Sequence, residues 1–201
     1  MENNIVLTTR QNMYRFLSSL YLFEVEEAQL TALKAMTFPI TCLNEDMQEG
    51  YEKIAAYLAG KEVNQDTLDE LAVDYARIFL SAGVAQGKAA FPYESVYTSK
   101  QHLIMQESGS SVASLYAQKG LTPRTDMYRV PEDHLGLLLE YMAVICTEDI
   151  KEQQDFLQNH LSNWVPAFVQ DVNKYASTDF YKGVAKLTKG FVTLEKEYLG
   201  L

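Results

Sequence analysis

The sequence predicts an all-α protein, a single-domain helical bundle of about nine to ten helices. Three observations lead there. Long stretches repeat apolar residues at the helical period, and no Val/Ile/Thr-rich alternating run of the kind a half-buried strand needs is present. Ten Gly and five Pro in 201 residues are few breakers for a chain of this length. One domain across residues 1–201 follows from the length and from the absence of any break in composition.

Taken in order, a first helix is expected over Thr9 to Leu22, with Met13, Phe16, Leu17, Leu20 and Tyr21 on one face. Helices follow at Glu26 to Met36, Glu45 to Ala59 and Asn64 to Leu80. Asn44 and Asn64 are N-cap candidates, because their side-chain oxygens can accept first-turn N–H groups that have no partner within the helix. Leu68, Leu71, Ala72, Tyr75 and Phe79 make the last of these a core helix. Residues 81–100 lose periodicity around Gly83, Gly87 and Pro92 and read as a long irregular connection, with Phe91-Pro92-Tyr93-Glu94-Ser95-Val96-Tyr97 as its functional candidate. A helix at Ser110 to Gln118 stops at Gly120, and the polar segment 121–130 with Pro123 is a candidate hinge. Three more helices are expected at Thr147 to Leu157, His160 to Tyr175 and Asp179 to Tyr198.

The most informative stretch lies between these, from Val130 to Cys146. Pro131 suits a first helical position, so Glu132 and Asp133 would fall in the first turn, where carboxylates complement the helix dipole. The residues that follow are apolar on nearly every side, which places this helix centrally and predicts that it packs with the Asn64 to Leu80 helix. Asp133 and Glu140, about two turns apart with Gly136 between them, would flank a notch suited to a peptide carrying guanidinium groups. The alternative is structural: the acids stabilise the helix terminus, and Glu140 pairs with a core cation such as Arg77.

Composition excludes several classes. A formal net charge of -10, from 27 acidic and 17 basic residues, argues against a nucleic-acid partner and for a cationic one. Cys42 and Cys146 show neither a disulfide framework nor zinc spacing, and the three histidines His102, His134 and His160 form no metal motif. No membrane span or leader is evident, so a cytoplasmic protein is expected. Gly83 to Ala89 falls one residue short of a phosphate-binding loop and ends in Ala where Ser or Thr is needed. No activated nucleophile is visible, and Asp133 beside His134 is not a dyad by adjacency alone, since neighbouring helical residues point about 100° apart.

Pro131-Glu132-Asp133-His134-Leu135 followed by Glu140-Tyr141-Met142 resembles the acidic-histidine signature of the TorD/DmsD-type redox-enzyme maturation chaperones. Asp74-Tyr75-Ala76-Arg77-Ile78-Phe79, Pro92-Tyr93-Glu94-Ser95-Val96-Tyr97 and the segment Phe156 to Pro166 are similar to further motifs of that family, in order over about residues 10 to 195. The resemblance implies a TorD-like all-α chaperone without catalytic activity and without a cofactor or metal of its own. It would bind the twin-arginine signal peptide of a molybdopterin oxidoreductase of the dimethyl sulfoxide or trimethylamine N-oxide reductase type, holding the client before export until its cofactor is inserted. Asp133 and His134 would carry the peptide-binding signature. Pro131 and Glu132 would shape it, and Tyr75, Tyr93, Glu94 and Ser95 would neighbour it. The hinge region matches one at which some relatives exchange helices, which implies a monomer or a domain-swapped homodimer. Two alternatives stay open: an assembly chaperone of the nitrate-reductase type, whose client lacks an export signal, and a small-substrate enzyme using Asp133 and His134.

Overall fold

The computed structural model describes residues 2–39, 44–82, 88–100, 107–123 and 129–201. Among these it holds α1 (Glu2–Leu22), α2 (Glu27–Ala35), α3 (Glu45–Ala59), α4 (Gln65–Phe79), α5 (Glu94–Thr98), α6 (Glu107–Gln118), α7 (Leu135–Ile145), α8 (Ile150–Leu157), a π-helical turn (Gln158–Ser162), α9 (Val165–Tyr175) and α10 (Asp179–Leu199). The described residues form no β-strand; one isolated antiparallel bridge joins Tyr93 to His134. The fold is all-α. No described helix is long and apolar enough to cross a membrane. Residues 83–87 of the phosphate-loop-like segment, Cys42, His102 and residues 124–128 of the candidate hinge lie outside the described residues.

The chain divides into two compact units. The first comprises Met1–Leu22, Pro92–Trp164 and Glu195–Leu201; the second comprises Phe23–Phe91 and Val165–Leu194. The two helices expected to pack together fall on different sides of this division, α7 in the first unit and α4 in the second.

In the first unit α7 packs against α1, and all of its residues are buried except Glu140 and Val144. Four leucines, Leu135, Leu137, Leu138 and Leu139, lie on it, each stabilising the fold by about 1.5–3 kcal/mol on burial. The helices approach closely at Gly136: a Cβ there would lie 2.5 Å from Leu22 Cγ and 3.2 Å from the Ser18 carbonyl oxygen. Ser18 Oγ donates to the Gly136 carbonyl at 2.8 Å. Gly136 is therefore the seat of α1, and α1 occupies the side where the sequence predicts the floor of a peptide notch. A buried network ties the rest together. Arg10 donates to both Glu195 oxygens, to Gln153 Oε1 and to the Cys146 carbonyl, and Tyr14 donates to Glu195 at 2.7 Å. Tyr14 is fully buried with its hydroxyl on that carboxylate, while its neighbour Met13 is half-buried.

In the second unit α3 and α10 meet at Gly50 and Gly183, where a Cβ on Gly50 would lie 2.8 Å from the Gly183 carbonyl oxygen. Tyr75 and Phe79 of α4 pack edge-on to each other and join Phe168 and Tyr181 in an aromatic core. Asp74, fully buried, accepts from the Ser177 and Thr178 amides and from Thr178 Oγ1, which anchors the entrance of α10. Arg77 is engaged by Asp74 and the Tyr175 carbonyl.

Both predicted asparagine caps are present: Asn44 Oδ1 accepts the Met47 amide and Asn64 Oδ1 the Thr67 amide. Several boundaries differ from expectation for local reasons. α7 begins at Leu135, four residues after Pro131, because the His134 amide turns back onto the Pro131 carbonyl and the backbone at 133–135 pairs with 92–94. Glu132 and Asp133 thus precede the helix. α8 begins at Ile150 rather than Thr147 because Asp149 caps it. The helix expected from His160 is split into the π turn and α9, with Pro166 near the α9 start, where a missing N–H costs nothing.

Candidate functional site

The two loop motifs singled out in the sequence meet in the first unit. The Glu94 amide donates to the Asp133 carbonyl at 3.1 Å and the Leu135 amide to the Pro92 carbonyl at 2.8 Å. Asp133 Oδ2 accepts the Ser95 amide at 2.9 Å, capping the start of α5 although Asp133 lies far along the chain. Asp133 is fully buried, and a Cβ built on Gly109 in the first turn of α6 would lie 3.8 Å from its Oδ1. A carboxylate there complements the α6 dipole.

His134 is also buried. Its Nδ1 accepts the Gly136 amide at 3.1 Å, so the ring caps α7, and Tyr93 packs edge-on against it at 5.1 Å. Burial pushes the imidazole pKa down to about 3, which keeps it neutral at physiological pH. Asp133 and His134 are thus engaged in building the site and do not project from it. Pro131 and Glu132 are half-buried in the turn before α7, and the Glu132 carbonyl accepts from Tyr116 Oη at 3.1 Å.

Glu94 carries the cluster toward the surface. Its carboxylate meets His160 Nδ1 of the π turn at 3.0 Å. Burial, with a lesser contribution from the Asp133 carboxylate, pushes the Glu94 pKa up against the opposing pull of His160. A π turn inside a helical run often marks a functional position, and here it points one imidazole at a buried acid. His160 and Phe156 pack with tilted rings at 4.9 Å, Phe156 and Tyr141 at 4.5 Å, and Tyr141 and Tyr116 at 5.1 Å, giving a continuous row of rings.

Tyr141, Phe156 and His160 line a pocket of about 700 Å³ in this unit, whose other walls carry Asp149, Glu152 and Asp155 of α8 and its cap together with Lys119 and Lys151. Glu152 accepts from Tyr141 Oη at 3.1 Å and from Lys119 at 2.8 Å. A smaller pocket of about 190 Å³ shares Tyr141 and is mostly apolar, with Leu121, Pro123, Leu137 and Val144 around Glu140. The site therefore offers carboxylates over aromatic rings beside an apolar recess.

Of the ten residues predicted for the site, Tyr93, Glu94, Ser95, Pro131, Glu132, Asp133 and His134 come together in one cluster. Glu140 lines the smaller pocket, on a different face from Asp133 because α7 starts only at Leu135. Gly136 is covered by α1, and Tyr75 belongs to the aromatic core of the other unit. Sequence reasoning missed Tyr141, Glu152, Phe156 and His160 as pocket residues; Tyr141 lies in the Glu140-Tyr141-Met142 motif, Phe156 and His160 in the segment Phe156 to Pro166, and Glu152 in neither.

A family model described as nitrate reductase delta subunit matches residues 41–170. The chaperone protein TorD of Shewanella pealeana is 31% identical over 212 aligned positions, covering 99% of this chain and 93% of the relative. That of Shewanella piezotolerans is also 31% identical, covering 98% and 94%, and that of Vibrio cholerae is 26% identical, covering 98% and 95%. The same fold occurs in the crystal structure of a protein from Archaeoglobus fulgidus described as a redox enzyme maturation protein, at a TM-score of 0.56 and 18% identity, covering 92% of this chain and 93% of that one. With the family model spanning more than half of the chain and relatives matching nearly all of it, the protein belongs to the TorD-type redox-enzyme maturation chaperones of the nitrate reductase delta subunit family.

Proposed function

We propose that this protein is a cytoplasmic chaperone that binds the twin-arginine signal peptide of a molybdopterin oxidoreductase, of the dimethyl sulfoxide or trimethylamine N-oxide reductase type, and holds the client until its cofactor is inserted. The observation that carries the reading is the adjoining of two unlike pockets across Tyr141, one with carboxylates and aromatic rings, the other apolar. A twin-arginine peptide presents guanidinium groups followed by an apolar stretch, the same two chemistries in sequence. Guanidinium groups form charge-assisted bonds to carboxylates and stack on aromatic faces. Asp133, His134 and Ser95 would act by fixing the Glu94–His160 pair and the ring row behind the pocket, with Tyr93, Pro131 and Glu132 as their frame.

The neutral, capped His134 supports a binding role over acid–base catalysis, since its Nδ1 lone pair is already engaged by the Gly136 amide. The name of the matching family model keeps the nitrate-reductase-type client as the second reading, in which the captured segment is not an export signal. Calorimetric titration with a synthetic twin-arginine signal peptide, combined with NMR shift mapping, tests the first. Saturable binding that perturbs Tyr141, Phe156 and His160 is expected. Absence of binding, or shifts confined to other parts of the chain, overturns it.

A further inference from the structure

Lys119 lines the larger pocket, two positions before Leu121 of the smaller one. It is the last residue before Gly120, whose φ of +67° ends α6 in a left-handed turn. The Gly120 amide bonds the Ala117 carbonyl and the Leu121 amide the Tyr116 carbonyl, a paired closure that fixes Lys119 at the helix cap. Residues before the turn, Leu115, Gln118 and Lys119, line the acidic pocket, while Leu121, Thr122 and Pro123 beyond it line the apolar one. The ammonium group of Lys119 bonds both Glu148 and Glu152. The larger pocket therefore already holds a cation, supplied by the chain itself.

We infer that Lys119 is an intramolecular competitor for the carboxylates that read an incoming arginine, so that a ligand guanidinium binds by displacing it; the inference rests on the peptide-binding reading above. Three features make the exchange favourable. Glu152 is held at its other oxygen by Tyr141 Oη and so remains in place when Lys119 leaves. A guanidinium can bridge Glu148 and Glu152 with a planar fork, whereas an ammonium acts as a point charge. Lys119 and Glu152 are each about a third exposed, so the displaced lysine regains water at little cost.

The test compares three proteins, the unsubstituted chain, Lys119→Met and Lys119→Arg, against two synthetic peptides: a twin-arginine signal peptide and the same peptide with both arginines replaced by glutamine. Methionine keeps the apolar stem while removing the charge; arginine holds the carboxylates more firmly. The arginine peptide is expected to bind about fivefold tighter to Lys119→Met and weaker to Lys119→Arg, with the glutamine peptide unaffected by either change. Melting curves confirm that all three proteins are folded, and the two variants displace affinity in opposite directions, which loss of structure does not. Equal affinities across the series, or the same shift with both peptides, overturn the inference while leaving the binding reading intact. If the unsubstituted chain binds neither peptide, the binding reading falls and the inference falls with it.

Discussion

The Asp133 carboxylate accepts the Ser95 amide hydrogen at 2.9 Å, and both residues are fully buried. A charged acceptor holding a helix start from a distant loop makes the two motifs one structural element. Asp133→Ala leaves the Ser95 amide without this acceptor in a buried setting, at a cost of about 1–3 kcal/mol. The melting temperature is expected to fall by several degrees, at about 2–4 °C per kcal/mol for a chain of this size. Asp133→Asn, which retains an acceptor oxygen, should fall less. Thermal melts without any ligand decide this; an unchanged Asp133→Ala melt would remove the structural role.

That result also bears on how much was legible in the sequence. The apolar run from Leu135 to Ile145 dictates a buried helix whatever its neighbours, and Asn44 and Asn64 cap within three residues of themselves, so these features are local and readable. Pro131-Glu132-Asp133 also looks like a helix start locally, but pairing with residues 92–94 outcompetes the helix there. The convergence of Glu94 with His160, and of Lys119 with Glu148 and Glu152, depends on which helices neighbour which; no spacing encodes it. Motif likeness places Tyr75 beside the site, whereas its ring contacts put it in an aromatic core.

His134 should resist protonation. Burial pushes its pKa from 6.5 down to about 3, so between those values the unfolded chain takes up a proton that the native state refuses. Stability is therefore full above pH 6.5 and declines as the pH falls toward 3. NMR of the ring should show the neutral form unchanged from pH 7.5 to about 4.5. His134→Asn keeps a capping acceptor without the titration, so its stability deficit relative to the unsubstituted chain should shrink on acidification. A midpoint for His134 near 6.5 would contradict its burial.

The close approach at Gly136 predicts a specific rescue. Gly136→Ala places a Cβ 2.5 Å from Leu22 Cγ, an overpacking that costs about 1–3 kcal/mol. Leu22→Ala removes the obstructing atoms and costs stability by itself, since Leu22 is half-buried. The double variant should be more stable than the sum of the two losses, measured by chemical denaturation, because each change relieves the other. Strict additivity would mean that the Ser18 carbonyl, 3.2 Å away, sets the cost instead.

Asp74 gives the second unit an acid sensitivity. Burial alone would raise its pKa, but the Ser177 and Thr178 amides and the Thr178 hydroxyl outweigh it and hold the carboxyl below its ordinary value. A group depressed in the folded state contributes stability above its unfolded pKa, about 3.9, and loses it as the pH falls through the folded value. Asp74→Asn should therefore be clearly less stable at pH 7 and nearly equal to the unsubstituted chain well below pH 4. A gap that stays constant across that range would mean that Asp74 contributes by shape and not by charge.

The last prediction separates charge from burial in client recognition. Carboxylates in the larger pocket are partly exposed and already paired, as in Lys119 with Glu152 and Lys151 with Asp155, so each arginine contact should contribute only about 0–1 kcal/mol. The smaller pocket is lined by Leu121, Pro123, Leu137 and Val144, and filling such a surface with leucine-sized groups contributes about 1.5–3 kcal/mol apiece before ordering costs. Replacing both signal-peptide arginines with glutamine should thus weaken binding modestly, and replacing the apolar segment with serine should weaken it far more. Raising the salt should affect the intact peptide but not the glutamine peptide, because screening acts on the ion pairs alone. Calorimetry at two ionic strengths measures both, with a negative heat-capacity change expected for the intact peptide. If the serine-substituted peptide binds normally while the arginine-free one does not bind, the site reads charge, and the apolar recess beside Tyr141 has no part in holding the client.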